Sequence, residues 1–272
     1  MKNKLNKIFK NNNNIIIGVI HFPPLLSYNN FPGFKVALRN ALKDLSAFEN
    51  GGIDGIVIEN NYDIPHKQFV DPPIISAMTF LGEKIRKTTK LPLGISVLWN
   101  DYQTSLSIAK VLNLQFVRIP VFIDKVKTDC GIIEGQPKNI IKFQKSINAE
   151  NIAILTDIHV KHSTLLSDKS IINSAKLAIK NHSDALIITG NWTGEQPDVE
   201  ELKLLRKSIG NFPIIAGSGV DKNNIKTIFQ FANGAIVSTS LKKGSVNKEE
   251  INTKAYNQRI DVNKVKNLVK QS

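Results

Sequence analysis

Short apolar runs alternate with amphipathic segments along almost the whole chain. The runs are dense in Ile, Val and Leu, as in strands that are buried on both faces. Eight of them are predicted as strands, at residues 15–21, 53–59, 93–100, 116–119, 152–159, 185–189, 213–216 and 235–237. The intervening segments repeat apolar residues with helical spacing and predict helices at 35–50, 74–88, 102–113, 168–180, 199–208, 223–231 and from about 261 to the end.

The order of these elements predicts the fold class. Eight β-α units follow one another without linker composition, which favours one α/β domain, a (β/α)8 or TIM barrel. We place the barrel at residues 15–272 and a basic, polar tail at 1–14, and we expect a long connection at 120–135 with a further helix after it. A doubly wound sheet is the alternative. It usually carries a glycine fingerprint after its first strand, where this chain has His21-Phe22-Pro23-Pro24.

Polar residues collect at the predicted carboxyl ends of the strands, whereas the strand starts are plain. In a (β/α)8 barrel these ends meet at one rim, where ligands bind and chemistry takes place. The candidate residues at this rim are His21, Glu59, Asn60, Asn100, Asp101, Arg118, Asp157, His159, Lys161 and His162. Asp129 joins them from the long connection. The asymmetry itself indicates a site at this rim.

The fifth predicted strand ends in the richest polar cluster. Because side chains alternate along a strand, we expect Asp157, His159 and Lys161 to face the same way. A carboxylate, an imidazole and an amine on one face form a plausible acid/base set. A lysine in a dry or cationic pocket can act as a base or as a Schiff-base nucleophile. An ordinary ion pair, or contact of Lys161 with a substrate phosphate, is the alternative.

Glu59 and Arg118 each interrupt an apolar strand, so both need a polar partner. They are interpreted either as a structural ion pair or as substrate contacts. His21 is either a ligand-binding or a hydrogen-bonded structural residue. With Glu59, Asp157 and His159 it would give a mixed N/O set for a divalent metal, but no HxH or HExxH spacing supports one. No cofactor is therefore predicted, and a divalent metal is left open.

Two apolar runs near the end of the chain finish abruptly in glycine and hydroxyl residues. Gly217-Ser218-Gly219 follows the seventh predicted strand, and Ser238-Thr239 follows the eighth. In TIM barrels these two loops commonly hold a phosphate with backbone N–H groups. Gly190, after the sixth strand, is added to the same set. The predicted partner is a phosphorylated small molecule. A tight turn with a helix N-cap is the alternative, and it applies to Asp101 as well.

Composition narrows the class of partner. The net charge is +13, but the lysines are scattered and no RNP-like motif or Cys/His finger accompanies them, so nucleic-acid binding is disfavoured. A basic surface would attract phosphorylated ligands. The lone Cys130, the absence of an apolar run of about 20 residues and the lack of a signal-peptide pattern predict a soluble, cytoplasmic protein. A homo-oligomer and peripheral membrane contact are left open.

Several segments together resemble the BtpA/SgcQ family. The matching segments are Gly18 to Leu25, Gly51 to Asn60, Pro92 to Asp101, Thr128 to Gly135, Asp157 to His162, Gly217 to Val220 and Ser238 to Gly244. The resemblance covers about residues 15–245. It implies a phosphate-binding TIM barrel. One branch is named for photosystem I biogenesis, and others occur among sugar-metabolism genes.

The resemblance implies the fold more strongly than the reaction. By position it points to Glu59, Asn60, Asn100, Asp101, Arg118, Asp129, Lys161 and His162 as site residues. Trp99, Pro120 and Cys130 depart from its pattern, as does the loop 27–33. We therefore expect an enzyme that acts on a small phosphorylated sugar or nucleotide-like metabolite by lyase, isomerase or glycosyl-type acid/base chemistry. The alternatives are an assembly factor for a membrane complex such as photosystem I and, less favoured, a nucleic-acid-binding protein.

Overall fold

Eight parallel strands close into a barrel, as the alternating pattern predicts. The computed structural model describes residues 4–10, 13–192, 194–244 and 256–272. Its strands are β1 Ile15–His21, β2 Gly55–Glu59, β3 Leu93–Ser96, β4 Phe116–Ile119, β5 Lys125–Thr128, β6 Gly131–Glu134, β7 Ala153–Ile158, β8 Thr164–Leu165, β9 Ala185–Ile188, β10 Ile214–Ala216 and β11 Gly234–Val237. The order around the barrel is β1-β11-β10-β9-β7-β4-β3-β2.

Helices follow the barrel strands and cover their outer faces. They are α1 Lys4–Ile8, α2 Phe34–Gly51, α3 Pro72–Thr88, α4 Tyr102–Val111, α5 Pro137–Ser146, α6 Ile171–Lys180, α7 Val199–Ile209, α8 Ile225–Ile228 and α9 Val262–Gln271. α2 ends where predicted, because Gly52 adopts a left-handed conformation (φ 86°) that a residue with a Cβ rarely takes. None of the described helices combines the length and the apolar character that a membrane crossing requires.

The prediction for residues 120–135 is incomplete, because this connection contains regular structure. β5 and β6 form an antiparallel hairpin, and β8 pairs with the other edge of β5 to give a small three-stranded sheet. Along β5 the buried Val126 alternates with the exposed Lys125 and Lys127. This period of two is the signal that could have revealed a half-buried strand, but it spans only four residues.

The predicted third strand is too long at its end. β3 stops at Ser96, and residues 97–101 turn into the start of α4. Asp101 explains this boundary, because its carboxylate accepts hydrogen bonds from the backbone N–H of Thr104 at 2.9 Å and of Val70 at 3.0 Å. The N-cap interpretation of Asp101 is thus the geometry observed.

Alternation along the strands divides the apolar residues between two clusters. In β1, Ile15 and Ile17 belong to the cluster that fills the barrel, whereas Ile16 and Ile20 pack in the cluster that includes the helices. Val19 takes the next inward position of β1, and His21 takes the last one at the end of the strand. The barrel is therefore apolar inside until its last layer, and the polar side chains of that layer are confined to one end.

Helix α1 packs against the opposite end of the barrel. Leu5 and Phe9 are buried in the inner cluster, and the ring of Phe9 lies 6.2 Å from that of Phe116 on β4. The amine of Lys4 approaches Asp184 at 3.2 Å and the carbonyl of Ile152 at 3.3 Å. The sequence pattern did not predict this helix. The division into a tail (1–14) and a barrel (15–272) stays a prediction, and residues 1–3 and 11–12 lie outside the described ranges.

Replacing Phe9 tests the contribution of α1 to stability. We expect Phe9→Ala to lower the free energy of unfolding by about 3 kcal/mol, because it removes a buried aromatic ring and leaves a cavity at the end of the barrel. Lys7→Ala on the exposed face of the same helix should change it by less than about 0.5 kcal/mol. Urea unfolding measures both values. Equal effects of the two substitutions would show that α1 does not stabilise the barrel.

Candidate active site

A polar layer crosses the carboxyl end of the barrel. It is built from the last inward position of several strands, occupied by His21 on β1, Glu59 on β2, Ser96 on β3, Arg118 on β4 and Asp157 on β7. The strand register aligns these positions, since His21 pairs with Glu59 and Glu59 with Ser96. We call His21, Glu59, Arg118 and Asp157 the ion-pair row, because each contacts the next.

Arg118 is the centre of the ion-pair row. Its Nε and Nη2 donate to the two carboxylate oxygens of Asp157 at 2.9 and 2.7 Å, and its Nη1 lies 3.6 Å from Oε1 of Glu59. Burial alone would lower the pKa of Arg118, but the charge and hydrogen bonds of Asp157 outweigh it and raise that pKa. The expected pairing of Glu59 with Arg118 is therefore present. Two carboxylates face one guanidinium, which leaves one negative charge uncompensated within the row.

His21 extends the row toward β11. Its Nε2 lies 3.3 Å from Oε2 of Glu59, and its Nδ1 lies 3.5 Å from the hydroxyl of Ser238. Burial would raise the pKa of Glu59, yet the hydrogen bond from His21 and the charge of Arg118 lower it to about 2. Burial also lowers the pKa of His21. At neutral pH, a neutral imidazole thus donates to an ionised carboxylate and offers Nδ1 as an acceptor.

Lys161 brings an amine to this row without forming an ion pair. Burial, followed by the neighbouring charge of Arg118, lowers the pKa of Lys161 to about 8, although Glu59 and Asp157 act in the opposite direction. Its backbone N–H donates to Thr189 at 3.2 Å. Within the described residues, no acceptor receives a hydrogen bond from its amine. Lys161 is therefore a partly neutral amine near neutral pH, placed close to two carboxylates that Arg118 already holds.

The predicted common face of Asp157, His159 and Lys161 does not form as a continuation of the strand. β7 ends at Ile158, and His159 has a φ of 51°, so the alternation is broken there. The backbone N–H of His159 turns to Asp124, 3.4 Å away. The charges that shift the pKa of Lys161 come from the ion-pair row and not from His159. The structure therefore joins Asp157 and Lys161 but leaves His159 outside this group.

Two of the predicted substrate-binding amides hold loops together. The Asn60 side chain accepts from the backbone N–H of Leu98 at 2.8 Å and donates to Asp63 at 3.1 Å. Asn100 makes a reciprocal pair with the backbone of Val121, at 2.8 and 2.9 Å. Since their amide groups are engaged by protein atoms, these residues join the loops after β2, β3 and β4.

The tip of the β5–β6 hairpin reaches the mouth of the barrel. Asp129 accepts from Nε1 of Trp99 at 2.7 Å and lies 3.5 Å from Nδ1 of His66. His162 is near the same group, since burial, Lys161 and His66 lower its pKa to about 4 whereas Asp129 acts in the opposite direction. Trp99, one of the positions that depart from the family pattern, thus anchors Asp129. The small sheet is fixed over one side of the mouth by these contacts.

The two glycine-and-hydroxyl loops are residues 217–220 after β10 and 238–241 after β11. Some of their polar groups bind other loops of the protein. The backbone N–H of Gly217 donates a hydrogen bond to the carbonyl of Ile188 at 2.7 Å. The backbone N–H of Gly190 donates to the hydroxyl of Ser218 at 2.9 Å. The same hydroxyl donates to the carbonyl of Glu195 at 2.7 Å. Gly190, Gly217 and the Ser218 side chain therefore join the loops after β9 and β10.

Other N–H groups of these two loops remain available. Among the described residues, no protein acceptor binds the backbone N–H of Gly219, Ser238 or Thr239. Gly219 has a φ of 61°, and a Cβ there would lie 2.1 Å from the backbone nitrogen of Gln196. Glycine is thus needed both for the conformation and for the close approach of the two loops. The available donors belong to two loops whose strands are neighbours in the barrel.

Two further residues lie beside the row and were not among the strand-end candidates. Lys242 is buried, with its amine 3.1 Å from the hydroxyl of Tyr62, and its charge contributes to lowering the pKa of His21. The ring of Tyr62 meets that of His21 edge-on at 6.1 Å. Neither residue lies at a strand end, so a search of strand ends misses both. In the described ranges, no three His, Cys, Asp or Glu side chains are grouped so as to hold a metal ion.

The sequence model of the BtpA family matches residues 12–271. The chain belongs to the BtpA family. Photosystem I biogenesis protein BtpA of Synechocystis sp. is 35% identical over 238 residues, which cover 86% of this chain and 83% of that relative. An uncharacterized protein of Pyrococcus horikoshii is 34% identical, with 86% and 89% covered. An uncharacterized mitochondrial protein of Caenorhabditis elegans is 30% identical, with 92% of each chain covered.

Solved structures with a similar fold support the TIM-barrel assignment of this BtpA-family chain. (S)-3-O-geranylgeranylglyceryl phosphate synthase from Thermoplasma acidophilum, in complex with sn-glycerol-1-phosphate, superposes with a TM-score of 0.60 at 14% identity, covering 98% of this chain and 96% of that one. N-(5'-phosphoribosyl)anthranilate isomerase from Pyrococcus furiosus gives 0.54 at 12% identity, covering 94% and 98%. At these identities the likeness shows the fold alone.

Replacing Arg118 tests how much its charge stabilises the buried carboxylates of the ion-pair row. We expect Arg118→Met to lower the free energy of unfolding by about 3–5 kcal/mol at pH 7, because Glu59 and Asp157 lose their compensating charge. In the wild type the depressed pKa of Glu59 gives stability that is lost as pH falls toward 2. In Arg118→Met, burial dominates and raises the pKa of Glu59. The difference in free energy of unfolding between the variant and the wild type should therefore shrink as the pH falls from 7 to 5.

Urea unfolding at several pH values measures this difference. Arg39→Met, at an exposed position of α2, is the matched control and should remain close to the wild type at each pH. A deficit for Arg118→Met that stays constant with pH would contradict the assigned electrostatics of the row.

Proposed function

We propose that this BtpA-family barrel is an enzyme that binds a small phosphorylated metabolite and transfers protons at its reactive carbon. The observation that carries this proposal is the Lys161 amine, which has a lowered pKa and lies beside a buried ion-pair row at the end of the barrel where substrates bind. The substrate class is a phosphorylated sugar or a nucleotide-like compound, with lyase, isomerase or glycosyl-type chemistry.

The phosphate end of the ligand is assigned to the loops after β10 and β11. Backbone N–H groups of Gly219, Ser238 and Thr239 supply hydrogen-bond donors that no described acceptor uses. Lys242 adds positive charge next to His21. The structural neighbours named for a phosphate synthase and a phosphoribosyl compound have the same fold, which is compatible with this assignment.

The reactive end is assigned to the part of the polar layer next to β7. Lys161 would act as the general base, since a substantial fraction of an amine with a pKa of about 8 is neutral near pH 7.5. Glu59 stays ionised and neutral His21 can relay a proton between it and the ligand. Asp157 would position Arg118 rather than react, because Arg118 binds both of its carboxylate oxygens.

An assembly role is the alternative, and one observation favours it: the Synechocystis relative is named for photosystem I biogenesis. Such a factor would need no turnover and no phosphorylated ligand. The two functions therefore predict different results in ligand binding, and the following variants separate them.

A single carboxylate placed in the proposed phosphate site should weaken binding of phosphorylated ligands. Thr239 is partly exposed at the start of the loop after β11, so Thr239→Asp adds negative charge without a buried replacement. We expect it to weaken binding of phosphorylated ligands at least about tenfold, or 1.4 kcal/mol. Thr239→Asn, which has the shape of the Asp variant without its charge, should stay within about threefold of the wild type. Thermal shift against a panel of sugar phosphates and nucleotides finds the ligand, and calorimetry measures its affinity. No response of the wild type to any phosphorylated compound, together with co-purification with membranes, would favour the assembly role.

Removing the amine should affect turnover rather than ligand binding. We expect Lys161→Met to reduce kcat by about 10²- to 10⁴-fold on a compound identified in the screen, while the thermal shift persists. In the wild type kcat should rise with pH and level off above about 8, because only the neutral amine accepts a proton. Lys127→Met, on the exposed face of β5, is the control. Unchanged turnover in Lys161→Met would remove Lys161 from the mechanism.

A further inference from the structure

We propose that the ligand is a phosphorylated aldehyde or ketone and that the Lys161 amine forms an imine with its carbonyl carbon. This inference rests on the proposed function and deepens it, because it names the reacting group of the substrate and a covalent intermediate.

The first support is the state of the amine. A buried lysine is usually held by a carboxylate, and such a pair keeps the amine protonated and poorly nucleophilic. Here the two nearby carboxylates, Glu59 and Asp157, are engaged by Arg118, and no described side chain forms an ion pair with Lys161. The amine is therefore left in the site with its lone pair available, as attack on a carbonyl carbon requires.

The second support is the place of Lys161 in the barrel. It follows β7, which lies three strands away from β11 and two strands away from β10 around the barrel. A phosphate on the loops after β10 and β11 is thus separated from Lys161 by at least one intervening strand. A small ligand held there would direct its other end across the ion-pair row toward Lys161. This separation favours contact of the amine with the carbonyl end over contact with the phosphate.

The third support is the charge of the row. Glu59, Asp157 and Arg118 together carry one uncompensated negative charge. A protonated imine keeps a positive charge at the nitrogen of Lys161, whereas most neutral addition products do not. The fixed negative charge would therefore stabilise the iminium relative to the free carbonyl and neutral amine, without rearrangement of the protein.

The step balances without an oxidant or a reductant. The nitrogen lone pair bonds to the carbonyl carbon, and the electron pair of the C=O π bond moves to oxygen, which takes up a proton. The nitrogen then loses a proton, the carbon–oxygen bond breaks, and oxygen leaves as water after a second protonation. One carbonyl and one amine give one C=N bond and one water.

Borohydride trapping tests the proposal directly. The protein is incubated at pH 8 with glycolaldehyde phosphate or pyridoxal 5'-phosphate, reduced, digested and mapped by mass spectrometry. We expect reduced adducts on Lys161 at least about tenfold above those on exposed Lys127, because the lowered pKa of Lys161 leaves about half of its amine neutral and nucleophilic at pH 8. Lys161→Met should lose the dominant adduct, and Lys127→Met should keep it. Adducts spread over surface lysines and absent from Lys161, with both probes, would overturn the proposal.

Two further measurements separate this proposal from the phosphate site. Glycolaldehyde without phosphate should label Lys161 less, and Thr239→Asp should remove that advantage of the phosphorylated probe. If Lys161 is labelled equally by both aldehydes, the imine stands and the phosphate assignment fails. If sugar phosphates stabilise the protein in Thr239-dependent fashion but Lys161 carries no adduct, the phosphate assignment stands and the imine fails.

Discussion

The buried guanidinium of Arg118 is the interaction on which the site depends. Its bidentate contact with Asp157 and its approach to Glu59 allow two carboxylates to stay ionised in the interior of the barrel. The same cation depresses the pKa of Lys161. One residue thus fixes the anionic groups and keeps a neighbouring amine reactive. Apolar residues of similar volume in place of all three side chains, Glu59, Arg118 and Asp157, could serve the fold equally well but would supply neither effect.

Around this centre, most of the polar side chains at the rim position loops. Asn60, Asn100 and Asp101 bind backbone groups of the neighbouring loops, and the hydroxyl of Ser218 does the same between β9 and β10. These contacts leave the loop N–H donors and the Lys161 amine in fixed places. Side chains that hold the loops are needed as well as those that meet the ligand, because a preorganised site requires rigid support for each group that contacts the ligand.

How much the sequence predicts depends on the range of the interaction. Strand and helix periods are local, so the barrel and the strand-end positions of Glu59 and Arg118 were predicted correctly. The face shared by Asp157 and His159 was wrong, since one left-handed residue after Ile158 ends the alternation. Lys242 and Tyr62 reach His21 through tertiary packing alone. No period or spacing along the chain contains that information.

Helix α1 affects the direction from which small molecules can reach the polar layer. With Leu5 and Phe9 packed into one end and an apolar interior above them, the polar layer opens only toward the end that the small sheet partly covers. In the proposed enzyme, substrate, product and water would therefore exchange through the same mouth, beside the contact of Trp99 with Asp129.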